Sequence, residues 1–321
     1  MKMIYQTISG KLSVSFAANR SREGWMKFIP RGSQKAKQAN DRTKYGKEFI
    51  RTNSLYNNTM GITEMKDNWK ETDINVDSLW LFSERDKTGK HKNVYHGNFI
   101  PQIPNQLIKR YTNAGDTILE LFSGSGTTLF ECEKLQRDYI GFDINTNIIE
   151  YVKGQMNNND TINYTIKNID VTNKEEVDNA MKEWMNCSKK QEVDFMIAHP
   201  PYLDIVKFTD DKRDLSNVPD IDEFIKKLTE AIGYSLAYLK KNRYFAIVAG
   251  DIYKKSEVVP LAFKIMDSVK QNFEVKTKGI IVKNIEGNRG KLKTQDIWKY
   301  RALHSDYFLF KHEYIFVFKK Q

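Results

Sequence analysis

Thr117-Ile-Leu-Glu-Leu-Phe122, followed at once by Ser-Gly-Ser-Gly126, is the stretch that indicates the fold class. A short apolar run that ends at glycines is typical of a buried strand leading into a tight turn. The next residues, Thr127–Leu135, have the pattern of a helix. A buried strand that passes through a glycine turn into a helix is the repeating unit of parallel α/β sheets.

The alternation of strands and helices continues along the chain. Further strands are predicted at Tyr139–Asp143, Thr161–Ile169, Val193–Ala198 and Tyr244–Ala249, and helices at Pro104–Thr112, Asn145–Met156, Lys174–Met185, Ile221–Leu239 and Val258–Val269. Val275–Val282 and Tyr314–Phe318 have the pattern of two antiparallel strands. We therefore expect an α/β fold, a Rossmann-like, doubly wound, mostly parallel sheet with a C-terminal antiparallel hairpin, and ligand binding beyond the carboxyl ends of its strands.

The 321 residues carry a net charge of +10, and the basic excess lies towards both ends. Residues 20–52 hold ten Lys and Arg against three Asp and Glu, and residues 240–321 hold eighteen against eight. Basic regions that flank an acidic centre suit a polyanion bound beside a catalytic core, although solvated surface lysine gives the same count. We expect a basic N-terminal arm or small appendage at 1–70, partly helical around 34–52, and a catalytic domain at 71–321.

The apolar and cysteine patterns exclude several classes of protein. No apolar run has the length of a transmembrane helix, and the first residues lack the apolar block of a signal peptide, which predicts a cytoplasmic protein without membrane contact. Cys132 and Cys187 have no partner at metal-ligand spacing, so we expect no metal site.

The glycine turn predicts a cofactor site. Gly124 and Gly126 let the backbone approach a ligand closely, and Asp143, at the end of the next strand, is placed to accept hydrogen bonds from both ribose hydroxyls of an adenosine. The third glycine of the dinucleotide fingerprint is absent, as is a phosphate loop, which favours S-adenosylmethionine. Asp170, after the third strand, is a candidate partner of the adenine amino group, and a role as a turn aspartate explains it equally well.

His199-Pro-Pro-Tyr202 follows the predicted strand Val193–Ala198. The two prolines fix φ near about −65° and push His199 into an extended conformation. In this geometry the Tyr202 ring can stack on a base that has left the duplex, while acceptors beside it hold the amino group of the base. With the glycine turn upstream, the turn predicts methyl transfer to an exocyclic amine, whereas a stiff loop with a surface tyrosine is the alternative.

Four segments resemble motifs of the DNA amino-methyltransferases, which methylate adenine N6 or cytosine N4. Asp116–Thr128 resembles their first motif, Tyr139–Ile144 their second, and His199–Tyr202 their Asp/Asn/Ser-Pro-Pro-Tyr/Phe motif. Tyr95–Ile108 is similar to the family segment that closes over the methionine part of the cofactor. The resemblance covers roughly residues 79–320, in the motif order of the gamma type.

The resemblance implies a site-specific DNA methyltransferase that flips its target base, with adenine N6 favoured over cytosine N4. Its catalytic residues would be His199, Pro200, Pro201 and Tyr202. Candidate cofactor residues are Asn98, Phe99, Pro101, Phe122, Gly124, Ser125, Gly126, Thr127, Asp143 and Asp170. Double-stranded DNA is the expected partner, and a restriction–modification or defence setting with a cognate nuclease is a family-level expectation. Neither cysteine follows a proline, which disfavours methylation of cytosine carbon-5.

A basic, aromatic insertion at 283–310 lies where the family places its DNA-recognition region. Its lysines and arginines can neutralise phosphates, and its aromatic rings can stack on bases. The candidate DNA-binding residues are Lys283, Arg289, Lys291, Lys293, Trp298, Lys299 and Arg301. A hairpin loop whose aromatic side chains pack on the sheet is the alternative.

His199 departs from the family pattern, in which Asp, Asn or Ser accepts a hydrogen bond from the target amine. A neutral imidazole accepts through one nitrogen, whereas a protonated one cannot. We therefore expect activity to fall as His199 becomes charged, between about pH 5 and pH 8 for an unperturbed histidine. This departure keeps open a non-catalytic DNA-binding subunit that retains the fold. Because similar Pro-Pro-Tyr turns occur in RNA amino-methyltransferases, that substrate also stays open.

Overall fold

The computed structural model describes residues 16–20, 26–30, 70, 72–92, 97–156, 161–285 and 295–321, with the backbone alone at 16–20, 26–30, 295, 296 and 298. The chain divides into two compact units, 1–58 and 59–321. In the first unit, strands β1 (Phe16–Arg20) and β2 (Met26–Pro30) pair antiparallel. The helix predicted around 34–52 lies outside the described residues. Within the described ranges, no helix combines the length and apolarity needed to cross a membrane.

The second unit alternates strands and helices along most of its length. Its strands are β3 (Leu79–Trp80), β4 (Thr117–Glu120), β5 (Asp138–Asp143), β6 (Tyr164–Asn168), β7 (Val193–Ala198), β8 (Leu239–Ala249), β9 (Ile252–Lys254), β10 (Glu257–Val259), β11 (Val275–Asn284) and β12 (His312–Lys320). Its helices are α1 (Gln102–Tyr111), α2 (Thr127–Leu135), α3 (Thr146–Gln155), α4 (Lys174–Ser188), α5 (Ile221–Leu236), α6 (Leu261–Asn272) and α7 (Gln295–Leu303).

Eight of these strands form one sheet in the order β3-β11-β12-β8-β7-β4-β5-β6. The five strands from β8 to β6 are parallel, and β12 runs antiparallel to both of its neighbours. This confirms the predicted doubly wound, mostly parallel sheet with a C-terminal antiparallel hairpin. The chain moves outward from β4 to β6 and returns to β7 on the other side of β4, which places the topological switch at the carboxyl ends of β4 and β7.

Helices cover both faces of the sheet, so alternate residues of a strand enter two different cores. In β7, Met196 and Ala198 pack in the core beneath α4, α5 and α6, whereas Phe195 and Ile197 pack in the core beneath α1, α2 and α3. All four side chains are fully buried. A buried side chain of the size of Met, Phe or Ile contributes about 1.5–3 kcal/mol. The strand bodies are therefore anchored firmly, and the turns at their carboxyl ends start from fixed positions.

The clearest departure from the predicted elements lies between β8 and α6. Lys255 and Ser256 adopt left-handed φ values of 52° and 60° and reverse the chain, so that β9 pairs antiparallel with β10. The predicted helix Val258–Val269 consequently begins at Leu261, after Pro260. Left-handed turn positions usually hold Gly, Asn or Asp, and the absence of these residues hid the turn from the sequence pattern.

Candidate active site

A cavity open to solvent lies at the carboxyl ends of β4, β5 and β7. The turn after β4 contributes Phe122, Gly124 and Thr127 to its wall, and the turn after β7 contributes His199–Tyr202. The carboxyl ends of neighbouring parallel strands share one edge of a sheet, and this brings the two turns together although more than 70 residues separate them in the chain.

Asp143 and Gly124 are joined directly at this edge. The Gly124 N–H donates to Asp143 Oδ2 at 2.7 Å, and the Asn145 N–H donates to Oδ1 at 2.9 Å. Gly124 has a φ of 47°, a left-handed conformation that favours glycine. Burial raises the pKa of Asp143 to about 6, and the nearby charge of Asp214 acts in the same direction against these two backbone donors. The cavity thus holds a hydrogen-bond acceptor that titrates near neutral pH.

Asn98 and Phe99 line the cavity on a segment that Arg85 holds in place. Arg85 Nη1 donates to the Phe99 carbonyl oxygen at 2.8 Å. The Nδ2 atom of Asn98 is buried and has no hydrogen-bond partner among the described residues. A buried donor without a partner costs about 1–3 kcal/mol, so a ligand acceptor beside it would stabilise this wall. An unpaired donor at Asn98 and a carboxylate at Asp143 fit S-adenosylmethionine, which offers a carboxylate and ribose hydroxyls.

Three of the predicted cofactor residues lie outside the cavity wall. Pro101 is buried at the start of α1, where its carbonyl oxygen accepts from the Asn105 N–H. Ser125 is buried within the turn. Gly126 begins α2 with a φ of 80°, and a Cβ there would lie 2.8 Å from Val152 Cγ1 on α3. These three residues shape and pack the turn, and their predicted contact with a cofactor stays a prediction.

The His199-Pro-Pro-Tyr202 turn places two rings against rigid neighbours. The His199 and Phe99 ring centroids are 4.9 Å apart, and His199 Nε2 lies 3.1 Å from the Tyr202 hydroxyl oxygen. A Cβ on Gly250, just after β8, would lie only 2.9 Å from Tyr202 Cε2. The missing side chain at Gly250 therefore leaves the space that the Tyr202 ring occupies.

Two charged residues of the C-terminal hairpin lie behind this turn. The Tyr202 hydroxyl donates to Glu313 Oε2 at 3.1 Å, and Lys283 Nζ donates to Glu313 Oε1 at 3.0 Å. The side chains of Lys283 and Glu313 are only 6% and 9% exposed. The predicted DNA contact of Lys283 stays a prediction, and a phosphate could reach this ammonium group only by breaking the buried ion pair.

The environment of the turn sets the protonation states of both rings. Burial lowers the pKa of His199 to about 4, opposed by the charge of Glu313 and assisted by that of Lys283. Burial also raises the pKa of the Tyr202 phenol well above its ordinary value. The imidazole is therefore neutral and the phenol protonated at pH 7. With this pKa, charging of His199 is expected below the range of about pH 5 to pH 8 in which an unperturbed histidine titrates.

Glu120 lines the cavity from β4, and the sequence reasoning did not identify it. Its Oε1 accepts from Thr128 Oγ1 at 2.5 Å, and its Oε2 accepts from the Tyr139 hydroxyl at 2.6 Å. Burial raises the pKa of Glu120 to about 8, so the side chain is mainly protonated at pH 7. The one signal for it in the sequence is a charged residue within an otherwise apolar strand.

The segment after the Pro-Pro turn adds residues that carried no motif. Phe208, Asp214 and Leu215 line the cavity, and a Cβ on Gly97 would lie 2.9 Å from Phe208 Cζ. Asp214 is buried, where its carboxylate accepts from backbone N–H groups of its own loop. This explains why the charge of Asp214 is held close enough to act on Asp143.

Asp170 also lines the cavity, and it makes contacts of a turn aspartate. Its Oδ1 accepts from the Thr172 N–H at 2.8 Å and from the Thr172 hydroxyl at 2.7 Å. Arg213 lines the cavity as well, and its Nη2 donates to Asp211 Oδ2 at 2.8 Å. Both readings of Asp170 from the sequence are thus compatible with its position.

The predicted DNA-binding insertion is described in part. Helix α7 carries Lys299 and Arg301, both exposed, and the rings of Tyr300 and Phe308 are also exposed. Arg289, Lys291, Lys293 and the side chain of Trp298 lie outside the described residues. The described part of the insertion thus presents basic and aromatic groups to solvent.

Two family models match the chain. The model of the D12 class N6 adenine-specific DNA methyltransferases matches residues 97–296, more than half of the chain. A model described as DNA methylase matches residues 18–154. Both matches include the glycine turn, and the first extends over the Pro-Pro-Tyr turn and the first half of the insertion.

Individual relatives match over shorter segments. The Type II methyltransferase M.MjaII of Methanocaldococcus jannaschii is 45% identical over 67 residues, which are 20% of this chain and 12% of that protein. The Type II methyltransferase M.HpaI of Haemophilus parainfluenzae is 33% identical over 82 residues, 26% of each chain. The chain thus spans about a quarter or less of the length of these relatives. The solved structure of TrmN from Thermus thermophilus is 12% identical, with a TM-score of 0.43 over 70% of this chain and 50% of that one, too loose a likeness to carry an argument.

Proposed function

The chain belongs to the D12 class N6 adenine-specific DNA methyltransferase family, and on that premise we propose that it transfers a methyl group from S-adenosylmethionine to the N6 amine of adenine in DNA. One observation carries this proposal beyond the family: a single cavity joins the Gly124–Asp143 pair to the His199–Tyr202 turn. A cofactor held by the first pair would lie beside a base held by the second. That adjacency is what a direct methyl transfer requires.

The cofactor would be held by polar groups at two places in the cavity. Asp143 would accept hydrogen bonds from the ribose hydroxyls, and the unpaired Nδ2 of Asn98 would donate to an acceptor on the methionine part. Phe122 would offer an apolar part of the wall, and Asp170, which lines the same cavity, would accept from the adenine amino group. When bound, S-adenosylmethionine supplies a methyl group on a positively charged sulfur.

The target base would be held by the Pro-Pro-Tyr turn after it leaves the duplex. The Tyr202 ring would stack on the base, while His199 and the Pro200 region accept hydrogen bonds from its amine. Because the pKa of His199 is lowered to about 4, its imidazole keeps a lone pair for this purpose at neutral pH. Phe99, packed on His199, would exclude water from the amine. These residues thus orient the amine and desolvate it.

DNA contacts are proposed for the basic regions outside the cavity. The exposed Lys299 and Arg301 of α7, with Arg289, Lys291, Lys293 and Trp298 of the same insertion, would contact the duplex beside the flipped base. The N-terminal arm at 1–70 would add phosphate contacts, and residues 71–321 would carry catalysis. The charge excess at both ends of the chain supports this division.

A restriction–modification setting is proposed from the relatives. Two of them are named Type II methyltransferases, which suits a methylase that protects the sites cut by a cognate nuclease. Such a system acts on DNA in the cytoplasm. Whole-genome mapping of methylated bases in a host that expresses the chain would test this: one fully methylated sequence motif supports it, and scattered low-level methylation contradicts it.

The reaction is tested by transfer of labelled methyl from S-adenosylmethionine to genomic DNA and to total RNA, followed by nucleoside mass analysis. N6-methyladenine in DNA is the expected product, and the variant Asp143→Asn should lose most of the label. N4-methylcytosine would move the target base, and label only in RNA would replace the DNA substrate. Cofactor binding without label in either nucleic acid would support a non-catalytic DNA-binding subunit.

A further inference from the structure

Four side chains form a continuous hydrogen-bonded chain from the C-terminal hairpin to the cavity. Lys283 on β11 and Glu313 on β12 are directly opposite each other in the strand register. Lys283 Nζ donates to Glu313 Oε1 at 3.0 Å, and the Tyr202 hydroxyl donates to Glu313 Oε2 at 3.1 Å. The Tyr202 hydroxyl oxygen in turn lies 3.1 Å from His199 Nε2. Of these four residues, His199 and Tyr202 line the cavity.

The position of each proton in this series of four hydrogen-bonded side chains follows from the number of donors available. Glu313, paired with an ammonium group, is a carboxylate and can only accept. The single phenolic proton of Tyr202 must therefore point to Glu313, which leaves the phenol oxygen as an acceptor towards His199. A neutral imidazole has one N–H and one acceptor nitrogen. The contact at 3.1 Å is a hydrogen bond only if His199 carries its proton on Nε2.

We propose that Glu313 fixes the tautomer of His199 through the Tyr202 hydroxyl, so that Nδ1 keeps its lone pair as the acceptor for the target amine. Glu313 and Lys283 are thus positioning residues: Lys283 keeps Glu313 an acceptor, and Glu313 orients the phenol proton. Nδ1 has no hydrogen-bond partner among the described residues, which leaves it available. This inference rests on the proposed function, because it concerns the residue that meets the amine of the base.

The need for such a device follows from the residue at position 199. An Asp or Asn side chain presents an acceptor oxygen without any choice of tautomer, whereas histidine has two neutral forms. The form with the proton on Nδ1 would direct an N–H at the hydrogens of the amine and repel it. A phenol that can only accept from Nε2 removes that form. The Tyr202 hydroxyl therefore matters in this chain for a reason that would not apply if position 199 were Asn.

The tautomer can be measured without any reference to activity. In protein labelled with 15N-histidine, long-range proton–nitrogen correlation spectra separate protonated from unprotonated ring nitrogens. The five histidines are few enough that loss of one pattern in His199→Asn identifies the signal of His199. We expect a proton on Nε2 in the native chain and a mixture of both tautomers in Tyr202→Phe. A proton on Nδ1 in the native chain, or an unchanged pattern in Tyr202→Phe, overturns the proposal.

Methyl-transfer kinetics give a second readout in a double-mutant cycle. Tyr202→Phe keeps the stacking ring, and we expect it to lower kcat about tenfold with His199 present and less than about twofold in the His199→Asn background. Equal losses in both backgrounds overturn the proposal, because they assign the hydroxyl a role independent of the histidine. If His199→Asn does not turn over, the nitrogen spectrum alone decides.

The conservative variant Glu313→Gln tests whether the acceptor at position 313 sets the tautomer of His199. Its amide oxygen still accepts from Tyr202, so we expect it to retain the native tautomer, whereas Glu313→Leu should lose it. Thermal unfolding checks that both proteins are folded, and pairing Glu313→Leu with Lys283→Met avoids leaving a buried charge unpaired. Loss of the tautomer in all three variants supports a folding defect over positioning and overturns the assignment. A native chain that transfers no methyl to DNA refutes the proposed function alone, because the spectra still report the tautomer.

Discussion

Acidification from pH 7 to pH 5 should weaken binding of S-adenosylmethionine because it protonates Asp143. Burial and the neighbouring Asp214 raise the pKa of Asp143 to about 6. At pH 7 about nine in ten molecules carry the carboxylate, and at pH 5 only about one in ten does. If the carboxylate is the form that accepts the ribose hydroxyls, the dissociation constant rises about tenfold, equivalent to about 1.4 kcal/mol.

Isothermal titration calorimetry measures both the affinity and the protons exchanged. At pH 5, binding should release nearly one proton, so the observed heat should vary with the ionisation enthalpy of the buffer. Asp143→Asn is the matched control, since its amide oxygen can still accept from Gly124 but does not titrate. Loss of hydrogen bonds to a charged acceptor costs about 1.5–3 kcal/mol, which predicts roughly 10- to 150-fold weaker binding at pH 7.

The quantity to compare is the ratio of the dissociation constant of Asp143→Asn to that of the native chain. The amino and carboxyl groups of the cofactor titrate equally with both proteins and cancel in that ratio. We expect this ratio to fall about tenfold from pH 7 to pH 5. A ratio that stays constant across this range, with no proton released at pH 5, would refute the assignment of Asp143 as the ribose acceptor.

Three further measurements test other parts of the molecule. Glu120 keeps its proton up to about pH 8 in the folded chain, whereas it loses the proton near pH 4.5 in the unfolded chain. Its contribution to the free energy of unfolding is therefore full below about pH 4.5 and is lost as the pH rises to about 8. Urea unfolding should show this as a decline of up to about 1.4 kcal/mol per pH unit, which Glu120→Gln lacks; parallel curves would contradict it. Gly250→Ala should displace the Tyr202 ring and lower kcat about tenfold or more, with little change in cofactor affinity; native kcat would show that the ring need not stay against β8. Lys299→Ala with Arg301→Ala should flatten the dependence of DNA affinity on salt by about two charges, and an unchanged slope would place these side chains away from phosphate.

The parallel sheet and both turns of the cavity could be predicted from the sequence because their signals are local. Strand bodies are apolar, glycines and prolines mark the turns, and the topology then brings the turns together without further information. Asp143 was predicted from its spacing alone. Each of these inferences uses residues close together in the chain or a rule that applies to the whole sheet.

The remaining features depend on packing between distant segments. Glu313 lies 111 residues after Tyr202 in the chain, and the two meet only because β12 pairs with β8. Lys283 begins a basic, aromatic segment whose composition is typical of a DNA-binding region, and only the strand register shows that Lys283 faces Glu313. Side chains whose partners are set by tertiary contacts carry no periodicity or motif that a single sequence could display.

The hairpin formed by β11 and β12 also bears on how the family could diversify. Asn284 and His312 are the last paired residues, and the Lys283–Glu313 pair is the next rung inward. Insertions or deletions between 285 and 311 would leave these rungs in register, whereas a one-residue slip within β12 would turn Glu313 to the opposite face of the sheet. A change in the length of this segment would therefore leave the support behind the Pro-Pro-Tyr turn in place.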